Sequence, residues 1–235
     1  MCGRYLVTMR PETMAGLFGF ADRPNFPPRY NIAPTQPVPV VRLEGAERRF
    51  QLLRWGLIPS WSKAPPASLL INARAETLAE KPSFRGAFRH HRALMPADGF
   101  YEWQTAGAGG KQPYLIRRRD GAPFAMASVS DIWMGADGSE VDSCAVVTTA
   151  ANATLAPIHH RMPAILAERD WARWLDPATP ERDLLALLRP SPESLLEAIP
   201  VSDRVNKVAH DDPDLIQPVA IPRRQPETPG QMDLF

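Results

Sequence analysis

The chain is poor in several things, and each shortage removes a class of function. It has only two cysteines in 235 residues, Cys2 and Cys144. Two cysteines build neither a disulfide framework nor a zinc-ligand pattern. Cys144 lies in the apolar run Ser143-Cys-Ala-Val-Val-Thr-Thr149 and reads as a small core residue. Lysine occurs only at Lys63, Lys81, Lys111 and Lys207, and the formal net charge is +1. No global basic field announces a polyanion partner, so any such site must be a local cluster. No apolar run is long enough to cross a bilayer, and Met1-Cys-Gly-Arg-Tyr5 lacks the hydrophobic segment of a signal peptide. The expectation is a soluble, intracellular, cytoplasmic protein.

What is present is ordinary globular material with one excess. Hydrophobic residues make up 44% and charged residues 23%, a composition able to bury a core. The 26 prolines are roughly twice the usual share of about 5%. That favours loops and short elements over long helices. Hydrophobic patterning and turn signals predict short strands at residues 4–8, 38–43, 49–55, 92–95, 99–104, 114–118, 123–130, 140–149 and 163–166. Short helices are expected at residues 11–18, 83–90 with Ser83 as N-cap, 168–175, 180–188 and 191–199. Residues 24–39 read as irregular. Gly107 to Gly110 reads as a hairpin turn, and Asp120-Gly121 as the turn of a second hairpin. There is no strict βαβ alternation. The expected fold class is α+β, a curved or barrel-like, mainly antiparallel sheet with short flanking helices. Residues 1–220 form one domain in this reading, and the polar, proline-rich residues 221–235 form a disordered tail.

Chemistry concentrates at the start of the chain. Cysteine follows the initiator Met1. Removing that Met leaves one residue with a free α-amine and a thiol, with ordinary pKa values of about 7.7–8.0 and about 8.5. Such an aminothiol traps an aldehyde: the amine forms an imine, the thiol adds to the same carbon, and a five-membered thiazolidine closes. Well-oriented intramolecular closure reaches effective molarities of roughly 10⁵–10⁸ M.

Four further polar residues sit in apolar or aromatic surroundings. They are Asn72, Glu102 in Asp98-Gly-Phe-Tyr-Glu-Trp103, and the pair His159 and His160. On a strand, Glu102 points to the face opposite Tyr101 and Trp103. If that face is interior, its carboxyl pKa rises toward the range useful for proton transfer near neutrality.

Ordered motifs run along nearly the whole chain. They are Met1-Cys-Gly-Arg-Tyr5, Tyr30-Asn-Ile-Ala-Pro34, Trp55-Gly-Leu-Ile-Pro59, Ile71-Asn-Ala-Arg-Ala-Glu-Thr77 and Asp98-Gly-Phe-Tyr-Glu-Trp103. Val147-Thr-Thr149, Ile158-His-His-Arg-Met-Pro163 and Val201-Ser-Asp-Arg-Val-Asn206 complete the series. This series resembles the SRAP family of abasic-site-processing proteins, and the resemblance extends to Leu215-Ile-Gln-Pro-Val219. It implies a DNA-damage enzyme that cross-links itself to abasic sites in single-stranded DNA, at replication forks and in the SOS response. Weak AP-lyase activity, cross-link reversal and self-removal of Met1 belong to the same implication, with no cofactor and no metal, in a monomer.

By motif, the resemblance makes Cys2 the covalent nucleophile and Asn72 the group that positions its terminus. Glu102 is implied as the proton-transfer carboxyl, and His159 as the group that opens the deoxyribose ring to its aldehyde. Arg4, Arg74 and Arg161 are implied as phosphate clamps, with Pro34 and Thr148 along the same DNA path. Trp61 is implied as an aromatic wedge; the family often has a second aromatic beside it, but here Ser62 follows. Separately, Gln231-Met-Asp-Leu-Phe235 resembles the motif by which bacterial repair proteins bind the sliding clamp, with Gln231, Leu234 and Phe235 as its contacts. Two other readings of the residues stay open. One is an N-terminal-nucleophile amidohydrolase or peptidase using Cys2, His159 and Asn72; the other is a non-catalytic, clamp-tethered single-strand binding module.

Overall fold

The computed structural model describes residues 2–106 and 110–220. In chain order these form β1 (Tyr5–Val7), α1 (Pro11–Phe18), β2 (Arg29–Ile32), β3 (Pro37–Glu44), β4 (Glu47–Trp55), β5 (Asn72–Arg74), α2 (Pro82–His90), β6 (Arg92–Ala97) and β7 (Gly99–Ala106). Then follow β8 (Gly110–Arg118), β9 (Phe124–Met134), β10 (Glu140–Ala150), β11 (Arg161–Pro163), β12 (Ile165–Leu166), α3 (Trp171–Leu175), α4 (Glu181–Leu187) and β13 (Leu196–Pro200).

Five strands close on themselves. β4 pairs with β3, β3 with β6, β6 with β9 and β9 with β10, all antiparallel. β10 then returns to β4 in parallel, at Ser143↔Arg54 and Cys144↔Trp55. Closure leaves these strands few free edges, which is how a barrel avoids exposed backbone donors. Beyond Val146↔Ser128 the strands β9 and β10 part. The chain from β11 to β12 fills that gap, with Ala164 N–H bonded to the Val147 carbonyl and the Ala164 carbonyl accepting from Ala127 N–H. On its other edge β10 carries β5 in parallel, Val146↔Asn72 to Thr148↔Arg74.

A second, antiparallel sheet of order β13-β8-β7-β1-β2 packs on the barrel. Its inner face supplies Tyr5, Phe100 and Ile116 to the main core, beside Val38, Leu53 and Trp55 from the barrel. Its outer face carries Leu6, Tyr101 and Leu115, covered by Val201, Val205 and Leu215 from the C-terminal segment. Both faces of β7 are therefore buried, which decides the environment of Glu102. Gly99 lets β7 start there, because a Cβ would lie 2.9 Å from the Ile116 carbonyl oxygen.

The α+β barrel-like expectation holds, and α1 has the bounds read from sequence. Four local readings are corrected. Ser83 is not a cap: α2 begins at Pro82, its N-cap is Lys81, and no side chain caps it. Residues 29–32 are a strand rather than irregular, because β2 closes the edge of β1. Asp120-Gly121 does turn the chain, with Gly121 at φ 70°. It joins no hairpin, because β8 and β9 lie in different sheets. Residues 191–199 are not a helix; Leu196–Pro200 pairs with β8 along its whole length, and cross-strand pairing outweighs modest helical propensity. The turn expected from Gly107 lies largely outside the described residues, as do the tail contacts Gln231, Leu234 and Phe235.

Candidate active site and nucleic-acid interface

The chain enters the second sheet directly from Cys2. Its side chain is completely buried in the main core. Asn72, the first residue of β5, donates from Nδ2 to the Cys2 carbonyl at 2.9 Å. The site is thus stitched to the barrel, because Asn72 is itself held in register with Val146 of β10. Burial pushes the Cys2 thiol far above its ordinary value, and the nearby Glu102 charge adds to the effect. In the chain as encoded the sulfur is protonated, and its nitrogen is a peptide nitrogen rather than an amine.

Glu102 lies on the same face of β7 as Phe100 and is 3% exposed. Burial raises its pKa; a hydrogen bond from the Trp103 backbone and the neighbouring His160 oppose the rise. A buried carboxyl of this kind is suited to move a proton near neutral pH.

The histidines stand at the end of the β10–β11 loop. His159 and His160 stack with ring centroids 4.4 Å apart. The Arg161 backbone N–H donates to His159 Nδ1 at 3.0 Å, while the Arg161 carbonyl lies 3.2 Å from the same nitrogen. A neutral ring satisfies only one of these contacts. The amide is an obligate donor and the closer partner, so Nδ1 accepts and the proton resides on Nε2. Burial lowers the His159 pKa; the backbone contact with Arg161 opposes the drop, and the Arg161 charge adds a smaller push downward. His160 is exposed, and His159 beside it lowers its pKa further, followed by burial, Arg161 and Arg74.

Three arginines behave differently from one another. Arg161 is 8% exposed. Its guanidinium grips Glu76 bidentately at 2.6 and 2.9 Å and donates to the Thr148 carbonyl at 2.6 Å. That grip holds the Glu76 carboxylate below its usual pKa range. Thr148 is buried and bonds the Ala73 carbonyl at 3.4 Å, so it ties β10 to β5. Arg4 donates to Asn31 Oδ1 at 2.8 Å and to the carbonyls of Val205 and Asn206 at 2.6 and 3.1 Å. Arg74 is exposed on β5, opposite Thr148. Of the three, Arg74 presents the most open guanidinium.

Pro34 is partly exposed in a loop held by the Thr35 N–H bond to the Trp55 carbonyl at 2.8 Å. Thr35 has φ 75°, a strained conformation for a β-branched residue. Trp55 in turn donates to the Ile71 carbonyl, one residue before Asn72. Trp61 is 64% exposed. Its loop is pinned on three sides: Ser60 N–H to Asp131, Trp61 Nε1 to the Pro82 carbonyl, and Trp133 Nε1 to the Ser62 carbonyl, at 2.8, 3.2 and 2.7 Å. A rigidly held, solvent-exposed indole beside Arg85, Arg89 and His90 around a concavity of about 430 Å³ is a surface on which a nucleobase can stack.

Along β10, then, the features fall in order. The Trp61 loop joins near Ser143, to which Ile58 N–H bonds at 2.9 Å. Asn72 and Cys2 join at Val146, and Arg74 with Arg161 at Thr148. Cys2 is hydrogen-bonded to Asn72 and lies within electrostatic reach of Glu102, and Glu102 within that of His160, the neighbour of His159; Trp61 stands toward one end. Sequence reasoning missed Asn31, Asp211 and Asn152. Asn31 is completely buried and donates to the carbonyls of Val205, Lys207 and His210 at 3.2, 3.1 and 2.8 Å. Asp211 pairs with Arg29 and accepts from Asn31 N–H. Together they hook the C-terminal segment onto β2 and fix Arg4. Tyr30-Asn-Ile-Ala-Pro34 contained the first of these, and an Asn set between Tyr30 and Ile32 was its only signal.

Among the described residues no group of three or more His, Cys, Asp or Glu is placed to hold a metal ion. No helix among them is long and apolar enough to cross a membrane.

Fold and site together define an α+β barrel protein with a buried thiol at Cys2 held by Asn72 and a buried carboxyl, Glu102, in electrostatic reach of it. The family model described as SOS response associated peptidase (SRAP) matches residues 1–208, and the chain belongs to that family. The abasic site processing protein YoqW of Bacillus subtilis is 36% identical over 92% of this chain and 99% of its own length. YedK of Escherichia coli, described likewise, is 34% identical over 93% of this chain and 100% of its own. The abasic site processing protein HMCES of Gallus gallus is 31% identical over 94% and 79%. A crystal structure of a Bacteroides thetaiotaomicron protein superposes with a TM-score of 0.85, at 27% identity, over 93% of this chain and all of that one.

Proposed function

We propose that this protein recognises abasic sites in single-stranded DNA and shields them by a covalent thiazolidine link to Cys2, formed after Met1 is removed. The observation that carries the reading is the placement of Cys2. Its carbonyl is held by Asn72 at 2.9 Å, and it lies within the electrostatic reach of a buried Glu102. The relatives named as abasic site processing proteins support the substrate. An abasic sugar is a masked aldehyde, and an N-terminal cysteine is an aldehyde trap. With no base to read, selectivity rests on backbone contacts and on space.

The steps follow from the residues. Neutral His159 donates a hydrogen bond from Nε2–H to the ring oxygen of the closed sugar; the C1′ hydroxyl proton passes through water to that oxygen as its bond to C1′ breaks, and the ring opens to the aldehyde. The Cys2 amine adds to C1′. Glu102, whose pKa burial raises, gives a proton to the departing hydroxyl, which leaves as water, and takes one back from the nitrogen to leave the neutral imine. The thiol then adds to the imine carbon and its proton passes to the imine nitrogen. The net change is one water released and one ring closed. Arg74 meets the DNA phosphates directly. Arg4 and Arg161, held by protein partners, shape the path, with Pro34 and Thr148 beside them. Trp61 stacks on the base next to the lesion.

The family's description as a peptidase favours a first, self-directed step, removal of Met1, assisted by Glu102. Gln231, Leu234 and Phe235 are proposed to tether the domain to the sliding clamp, and deleting residues 231–235 abolishes clamp pull-down in this reading. An abasic oligonucleotide incubated with the mature protein gives a denaturation-resistant band that Cys2→Ala loses. Amide turnover without a DNA adduct supports an amidohydrolase instead, and salt-sensitive binding indifferent to Cys2 supports a plain binding module.

A further inference from the structure

The loop between β10 and β11 carries both histidines, and its winding starts at one side chain. Asn152 is 8% exposed. Its Oδ1 accepts from the Leu155 N–H at 3.1 Å, and its Nδ2 donates to the Ser191 carbonyl at 3.0 Å. Its own carbonyl accepts from the N–H groups of Leu155 and Ala156 at 3.1 and 2.9 Å. A second turn stacks on the first: the Leu155 carbonyl accepts from Ile158 and His159 at 2.8 and 2.9 Å. The Leu155 side chain is completely buried and plugs the loop into the core. Ala151 N–H closes the loop on the His160 carbonyl at 3.1 Å, and the Thr154 hydroxyl adds a second tie, to the Glu193 carbonyl at 3.3 Å.

We infer that Asn152 is a positioning residue for His159, fastening the histidine loop to the 191–195 segment that leads into β13. Two hydrogen-bonded turns connect its amide to the His159 backbone. Asparagine suits the position because one side chain must accept on one side and donate on the other. Aspartate would face the Ser191 carbonyl with a second acceptor. Serine keeps an acceptor for the first turn and loses the tie to Ser191; alanine keeps neither. The 191–195 segment, far from Cys2 in sequence, thereby becomes part of the machinery that orients the imidazole.

The activity part of the test rests on the proposed role of His159; the spectroscopic part does not. Full-length, Met1-processed protein and its Asn152→Ala and Asn152→Ser variants are compared by long-range ¹H–¹⁵N NMR of the His159 ring at fixed pH. Adduct formation with an abasic oligonucleotide is timed in parallel. The expected result is a single Nε2–H tautomer in the parent and a mixture in Asn152→Ala. Adduct formation slows at least tenfold at saturating DNA with affinity unchanged, and Asn152→Ser is intermediate. A purely structural role would lower the melting temperature and leave the ring signals untouched. An unchanged His159 spectrum in a folded Asn152→Ala protein overturns the inference; if that variant does not fold, an unchanged spectrum in Asn152→Ser does so. A changed spectrum with an unchanged rate upholds the positioning and overturns the catalytic role of His159.

Discussion

The backbone N–H of Arg161 points at Nδ1 of His159 from 3.0 Å. This contact chooses the tautomer, and the tautomer chooses the chemistry. With Nδ1 accepting, the neutral ring offers a proton from Nε2. Burial, with Arg161 nearby, keeps the imidazole neutral to lower pH than an exposed histidine. Protonation would turn Nδ1 from acceptor to donor and exchange the amide for the Arg161 carbonyl at 3.2 Å.

One prediction concerns pH and stability together. The Glu102 pKa is raised by burial, so the folded state binds more protons than the unfolded chain between the ordinary carboxylate value and the raised one. Through that window stability falls as pH rises, and above it the full cost persists. Glu102→Gln keeps the shape without the charge. It should raise the melting temperature near pH 7 by about 2–4 °C for each kcal/mol recovered, and should gain nothing below pH 4. It should also slow cross-linking by at least the roughly 10²-fold typical of a lost general acid. Calorimetry at both pH values, with a timed gel, checks this; a lower melting temperature at pH 7 contradicts it.

Arg74 and Arg161 should separate cleanly. Arg161→Ala breaks a buried grip on Glu76 and on the Thr148 carbonyl and should cost about 2–4 kcal/mol in denaturant unfolding. Arg74→Ala should stay within about 0.5 kcal/mol. It should nonetheless weaken single-strand binding and lower the slope of log K against log salt by about 0.7. A salt slope unchanged in Arg74→Ala removes it from the phosphate path.

Trp61→Ala should leave stability within about 0.5 kcal/mol, because the indole is 64% exposed. Affinity for single-stranded DNA should fall by the roughly 1–3 kcal/mol of one base–aromatic stack, while the rate at saturating DNA is retained. Fluorescence anisotropy beside a saturating time course reads both. Equal affinity would leave Trp61 without a role in the DNA path.

Much of this was legible from residue order. The helix at Pro11–Phe18 follows from proline at its first turn and apolar spacing, and it ends at Gly19 in the left-handed region. Alternation through Tyr101, Glu102 and Trp103 gave the carboxyl its face. Other features depend on neighbours that no local window contains. A turn at Asp120-Gly121 looks the same whether its strands pair with each other or part to different sheets. Residues 196–200 have helical composition and become a strand because β8 offers an open edge. An arginine in sequence is a cation; only the fold shows that Arg161 is committed to Glu76 and Arg4 to Asn31 and the 205–206 carbonyls. Asn152 stands between Thr149 and the histidines with nothing local to mark it, and its tie to Ser191 crosses 39 residues.

The most direct test is intact mass of the protein before and after an abasic oligonucleotide, under denaturing conditions. The account predicts a chain beginning at Cys2, and an adduct equal to protein plus DNA less one water that survives heat. Cys2→Ser, lacking the sulfur that closes the ring, should yield no adduct stable to heating. An adduct on chains that keep Met1, or equal stability in Cys2→Ser, would contradict it.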